Sequence, residues 1–220
     1  MRLTTRLHEA ARPIWDRCHS HPFVQGLGSG TLDADKFRYF LLQDYLYLFD
    51  YAKVFAWGVI KAQDQKLMRI FAENVDEILG GEMKIHRAYM QRLGITEDQV
   101  FSVRPALSNL SYTHYMLSVA ASGSAAEIVA AILSCSWSYA EIGSRLAEEQ
   151  PDSLKHPFYG EWVQGYSGPD YQATNDALIA LMDQLAEGAS EPDLQRLEDI
   201  FVNCSRYELG FWDMAWEMER

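Results

Sequence analysis

Asp35-Lys36-Phe37-Arg38-Tyr39-Phe40-Leu41-Leu42-Gln43-Asp44-Tyr45-Leu46-Tyr47-Leu48-Phe49-Asp50-Tyr51-Ala52-Lys53-Val54-Phe55 is the stretch that decides the fold class. On a helical wheel Phe37, Leu41, Asp44, Leu48, Tyr51 and Phe55 step by four and three along one face, the spacing of an amphipathic α-helix. Asp35 and Lys53 each lie nine residues from Asp44, half a turn around the wheel, and mark the solvent side. A carboxylate, Asp44, therefore sits in the apolar seam.

The same periodicity runs through the rest of the chain, and the turn signals that would bound short strands are sparse, so the reading is an all-α, compact multi-helix bundle. Helices are expected over residues 3–20, 33–63, 65–93, 108–122, 124–149, 157–165, 171–187 and 191–218. Ser124 with Glu127 forms a capping-box pattern, and Ser190, Pro192 and Asp193 place a cap, an early proline and a first-turn acid together. Pro13 is expected to kink the first helix. The breaks, Gly26 to Gly30 and Gly94 to Pro105 among them, are too short for interdomain linkers, which makes residues 1–220 one domain.

With 31 acidic and 19 basic side chains among 220 residues, the net charge of −12 opposes binding to nucleic acid. The longest uncharged stretch, Pro105 to Ala126, is too polar to span a bilayer, and no hydrophobic leader follows Met1. Three cysteines, an odd number without a C-x-x-C pair, fit neither a disulfide framework nor a zinc knuckle. These features predict a cytoplasmic protein with reduced thiols.

Two further seams carry reactive groups. Ile128, Ile132, Cys135, Tyr139, Ile142 and Leu146 share one face, and Leu197, Phe201, Cys204, Glu208, Phe211, Ala215 and Met218 share another. A solitary cysteine on such a face is ordinarily inert packing, and an inward acid is ordinarily a structural hydrogen bond. Two acids and a thiol on the inward faces of three separate helices, amid Tyr45, Tyr47, Tyr51, Tyr112, Tyr115, Tyr139 and Tyr166, point instead to a polar pocket that can hold a flat ring. No E-x-x-H di-iron motif occurs, and the pairs Glu82/His86 and Asp16/His19 read as isolated surface contacts. Neither a dinucleotide fingerprint, nor a P-loop, nor G-x-S-x-G is present, so no metal or cofactor is called for.

Gln43-Asp44-Tyr45-Leu46-Tyr47, then Tyr112, Cys135-Ser136-Trp137-Ser138-Tyr139-Ala140-Glu141-Ile142-Gly143, His156-Pro157-Phe158-Tyr159-Gly160-Glu161-Trp162 with Tyr166, and Tyr207-Glu208-Leu209-Gly210-Phe211-Trp212-Asp213-Met214-Ala215 resemble, in order and spacing, the TenA family of thiaminase II or aminopyrimidine aminohydrolases. The resemblance covers the whole chain and its cysteine-containing branch. It implies a haem-oxygenase-like bundle that binds no haem and assembles as a homotetramer. It further implies hydrolysis at the exocyclic methylene of a 4-amino-2-methylpyrimidine, from the aminomethyl compound with loss of ammonia or from thiamin with loss of the thiazole. By position, Cys135 resembles the nucleophile and Glu208 the acid/base. Asp44 would hold the amidine edge of the ring, and Tyr47, Tyr112, Tyr139, Tyr166 and Phe211 would line it. Tyr139, one turn beyond Cys135, is the expected hydrogen-bond donor to the thiol. Two alternatives stand beside this hydrolase: a non-catalytic or regulatory binder of a thiamin-like ligand, and an iron or haem oxygenase, for which the ligands are missing.

Overall fold

The computed structural model describes residues 2–219, and all of their regular structure is helical. The elements are α1 (Leu3–His19), α2 (Pro22–Ser29), α3 (Ala34–Lys61), α4 (Gln65–Glu77), a π-turn (Ile78–Glu82), α5 (Met83–Arg92), α6 (Glu97–Ser102), α7 (Leu107–Ser122), α8 (Ala125–Glu149), a 3₁₀ turn (Pro151–Lys155), α9 (Gly160–Ser167), α10 (Pro169–Leu185) and α11 (Glu191–Glu217).

The long helices begin where the chain offers side-chain acceptors. Ser124 and Ser190 each accept from the backbone three residues on, and Glu127 and Asp193 reach back to complete the boxes. Asp33 caps α3 by accepting from the Asp35 amide, two residues on. Helix α1 runs uninterrupted through Pro13. Two helices lie in stretches expected to be breaks. His21 caps α2, which carries Gly26 and Gly28 and ends at Gly30 in the left-handed region (φ 72°), and Thr96 with Gln99 boxes the start of α6.

Helix α8 is the hub, packing on α11, α9, α10, α3 and α7, while α1 lies along α11. Its centre is almost wholly buried from Ile128 to Ser134, as expected of a helix surrounded by others. Where small residues allow, neighbours come close: a Cβ on Gly143 would lie 2.7 Å from the Tyr166 carbonyl carbon and 2.8 Å from the Ser167 amide, so α9 rests directly on α8. Several polar side chains of this interior pair with one another. The Trp15 indole donates to Ser205 Oγ (3.1 Å), which meets Ser134 Oγ at 3.0 Å, and Ser136 donates to Asn175 Oδ1 (2.8 Å).

The expected helix over 65–93 is instead α4, the π-turn and α5. Leu67, Phe71 and Ile78 face inward as a straight helix requires, but past the π-turn the inward face moves by one residue. Ile85, in line with the first stripe, is 40% exposed, whereas Met83, His86 and Met90 turn in. At the other end, α11 stops at Glu217, and Met218 lies past it with 38% exposure rather than in the seam.

Candidate active site

Asp44, Cys135 and Glu208 converge. They come from α3, α8 and α11, and the Cys135 thiol feels the charges of Glu208, Glu82 and Asp44 together. Asp44 and Glu208 are 4% and 2% exposed, whereas Cys135 keeps accessible surface. Cys135 is thus the least buried of the three.

Glu208 and Cys135 act on each other's ionisation. Burial pushes the Glu208 carboxyl up to about 7, against the opposing pull of the Tyr112 hydroxyl, which donates to Oε1 at 2.6 Å, and of the Cys135 thiol. Burial also pushes the Cys135 thiol well above its usual range, and the Glu208 charge adds to this, so the resting sulfur is protonated. The Tyr47 hydroxyl counters that rise; it points at Met116 Sδ (3.8 Å) and lies beside the thiol. The hydroxyl that opposes the rise at the thiol is that of Tyr47 rather than that of Tyr139. The Tyr139 ring is taken up by packing on Tyr166 (4.9 Å between centroids) and Trp212 (5.3 Å).

The expected aromatic residues form two walls. On one, Tyr47 packs on Tyr112 (5.3 Å) and edge-on to Phe211 (5.6 Å), and Tyr112 stacks on Tyr207 with 9° between planes. On the other, Tyr166 lies between Tyr139 and Tyr171 at 4.9 and 5.0 Å.

The pair Glu82/His86, expected at the surface, is part of the site. His86 Nε2 lies 2.7 Å from Asp44 Oδ2, and Nδ1 lies 3.0 Å from the Glu82 carbonyl oxygen, an atom that can only accept, so the ring donates from Nδ1. Burial disfavours the charged ring, but the Asp44 hydrogen bond and charge, with Glu82 behind them, outweigh it and raise the His86 pKa. The arrangement is a buried histidine held against a buried acidic side chain, whose proximity favours the charged ring. Glu82 accepts from the Tyr166 hydroxyl (3.0 Å), and burial lifts its carboxyl to about 7. His19 of the other pair is also buried, lies beside Arg145 rather than at the surface, and is lowered to about 4 by burial and by Arg145. Among the described residues, no three of His, Cys, Asp and Glu cluster so as to hold a metal, and no helix is long and apolar enough to cross a membrane.

Residues 8–218 match the TENA/THI-4/PQQC family. The chain belongs to that family. It is 46% identical over 217 residues to the aminopyrimidine aminohydrolase of Helicobacter pylori, covering 99% of this chain and 100% of that one. With the aminopyrimidine aminohydrolase of Halalkalibacterium halodurans it shares 45% identity, over 98% and 96% of the two chains. Among solved structures, the TenA homologue of P. horikoshii OT3 superposes with a TM-score of 0.89 at 32% identity over 99% of both chains. A TenA family transcription regulator from Silicibacter sp. gives 0.90 at 33% identity, over 97% and 96%. A Shewanella denitrificans domain with a heme oxygenase-like fold, 14% identical with a TM-score of 0.78, shares the fold.

Within this TenA-family bundle, Glu82, His86 and Tyr171 are the site residues missed by sequence reading. A signal for the first existed. Glu82 is four residues beyond Ile78 on the stripe that starts at Leu67 and Phe71, and so interrupts an apolar seam as Asp44 and Glu208 do. His86 and Tyr171 had none, because the π-turn turns one inward and the docking of α10 on α8 and α9 brings in the other.

Proposed function

We propose that the chain is an aminopyrimidine aminohydrolase of thiamin salvage. It would release 4-amino-5-hydroxymethyl-2-methylpyrimidine from the 5-aminomethyl compound with ammonia, and from thiamin with the thiazole. The names of the relatives at 45 and 46% identity support this reading. The observation that carries it is the convergence of Asp44, Cys135 and Glu208 from three helices, which sets a thiol beside a carboxyl that both gives and takes a proton near pH 7.

In the proposed reaction the ring lies between the two aromatic walls, its amidine edge on the free Oδ1 of Asp44. The Cys135 sulfur bonds to an electron-poor ring carbon as its proton passes to Glu208. The ring electrons expel the amine from the exocyclic methylene, and Glu208 returns the proton to the departing nitrogen. Water then bonds to the methylene and gives a proton to Glu208. The carbon–sulfur bond breaks, aromaticity returns, and the sulfur recovers that proton. The sum is water in and ammonia out. Tyr112 holds Glu208, Tyr47 assists the sulfur, and Tyr139, Tyr166 and Phe211 confine the ring.

Residues 1–220 act as one domain in this proposal, since the site draws on α3, α8 and α11 alike. It also takes in a cytoplasmic, homotetrameric protein. Three free cysteines support a reducing compartment, and the exposed Ile60, Phe101 and Leu107 supply apolar surface for association.

Ammonia release from the aminomethyl compound by wild type and Cys135→Ser, with thiamin in parallel, tests the reaction. Turnover by the wild type and a loss of about a thousandfold or more in the variant is expected. The structural neighbour described as a transcription regulator supports one rival. If both compounds bind and neither reacts, the chain is a regulatory binder.

A further inference from the structure

Glu82 takes part in none of these steps. It closes the π-turn, and the Tyr166 hydroxyl engages its Oε1 at 3.0 Å, while Oε2 has no hydrogen-bond partner among the described residues. Like Cys135 and Tyr171 it keeps accessible surface where Asp44, Tyr51, Tyr139 and Glu208 are buried. These three are the less buried residues of the cluster.

The charges of the site are unevenly matched. Asp44 has the His86 ring at 2.7 Å, and Glu208 is engaged by Tyr112 and Cys135. His86 meets Glu82 at the backbone carbonyl, leaving the carboxylate without a cation in contact. The groups acting on that carboxylate are His86, Asp44, Tyr166 and Glu77. Both substrates of the proposed function, on which this inference rests, are cations near neutral pH: the aminomethyl group as an ammonium and the thiazole ring as a thiazolium. The hydroxymethyl product is neutral. A cation leaving water for an enclosed site needs an anionic partner, and an enclosed carboxylate gains most from one.

We propose that Glu82 is a specificity-determining residue whose free Oε2 receives the cationic leaving group, so that the site favours charged substrate over neutral product. Binding would then fix Glu82 as the carboxylate. The ammonium sheds one proton to solvent before the carbon–nitrogen bond breaks, so the amine that takes up the Glu208 proton departs as neutral ammonia, the thiazolium departs as neutral thiazole without a proton, and the attraction to Glu82 is lost.

Glu82→Gln and Glu82→Asp separate this from a structural role. At pH 8, KM for 4-amino-5-aminomethyl-2-methylpyrimidine and for thiamin, and Kd for the neutral hydroxymethyl product, are measured on wild type and both variants. Glu82→Gln, which keeps the Tyr166 hydrogen bond, should weaken both cations by about tenfold or more and leave the product within about twofold. Glu82→Asp should restore part of the loss. Equal weakening of cations and product, or no weakening of either, overturns the assignment while wild-type turnover leaves the proposed function standing. A wild type that binds none of the three compounds overturns both.

Discussion

Replacing Tyr112 by Phe removes one oxygen from the site and little else. The ring keeps its stacking on Tyr207 and its packing on Tyr47, but Glu208 Oε1 loses the hydroxyl at 2.6 Å. That hydrogen bond favours the ionised carboxylate, and a hydrogen bond to a buried charge contributes about 1.5–3 kcal/mol. At about 1.4 kcal/mol per pH unit, its loss moves the Glu208 midpoint upward by about one to two pH units. The starting point is about 7. In the proposed reaction the carboxylate must be free to take the thiol proton, so activity rises as Glu208 ionises. At pH 7 the ionised fraction would fall from about half to between about a tenth and a hundredth, a loss of roughly 5- to 50-fold in kcat. The loss should shrink toward twofold as the pH approaches 9. The assay is the pH profile of ammonia release at saturating substrate. An acid limb left where the wild type has it, with the plateau merely lowered, would refute the role of Tyr112 in setting the Glu208 midpoint.

Two further predictions concern stability. Glu208 is raised from 4.5 to about 7, so folding favours its protonated form. The stability it contributes is present below about 4.5 and is lost as pH rises through 7, at a cost of about 3 kcal/mol by pH 8. Glu208→Gln should therefore melt higher than the ligand-free wild type at pH 8 and close to it at pH 5, although it is inactive; equal Tm differences at the two pH values would contradict a buried, ionising carboxylate. Gly143→Ala places a methyl 2.7 Å from the Tyr166 backbone, and α9 must yield. Overpacking of this kind costs about 1–3 kcal/mol, so Tm should fall and KM should rise as Tyr166 shifts, and a variant with wild-type Tm would show that the interface has slack.

Helix content was legible because an α-helix is a local object. The i to i+4 hydrogen bond and the apolar face repeat within a few residues, so the stripes through Phe37, Ile128 and Leu197, and the caps at Ser124 and Ser190, were readable without knowing what packs where. The same wheel showed that Asp44, Cys135 and Glu208 point inward. It could not show that they meet. His86 and Asp44 are 42 positions apart in the chain, and Tyr112 and Glu208 are 96 apart. Contacts of that range are set by how whole helices dock, which no local period encodes.

The π-turn marks the other limit of local reading. One extra residue in a turn leaves composition and apolar content untouched, yet it rotates everything that follows, exposing Ile85 and bringing His86 onto Asp44. The fold class, the inward acids and the candidate nucleophile were thus determined by sequence alone. Which phenol bears on the ionisation of the thiol, which histidine holds Asp44, and that Glu82 lies among these groups were decided only by tertiary structure. Those properties depend on the relative rotation of helices, and on a burial that turns ordinary carboxyls into groups titrating near 7.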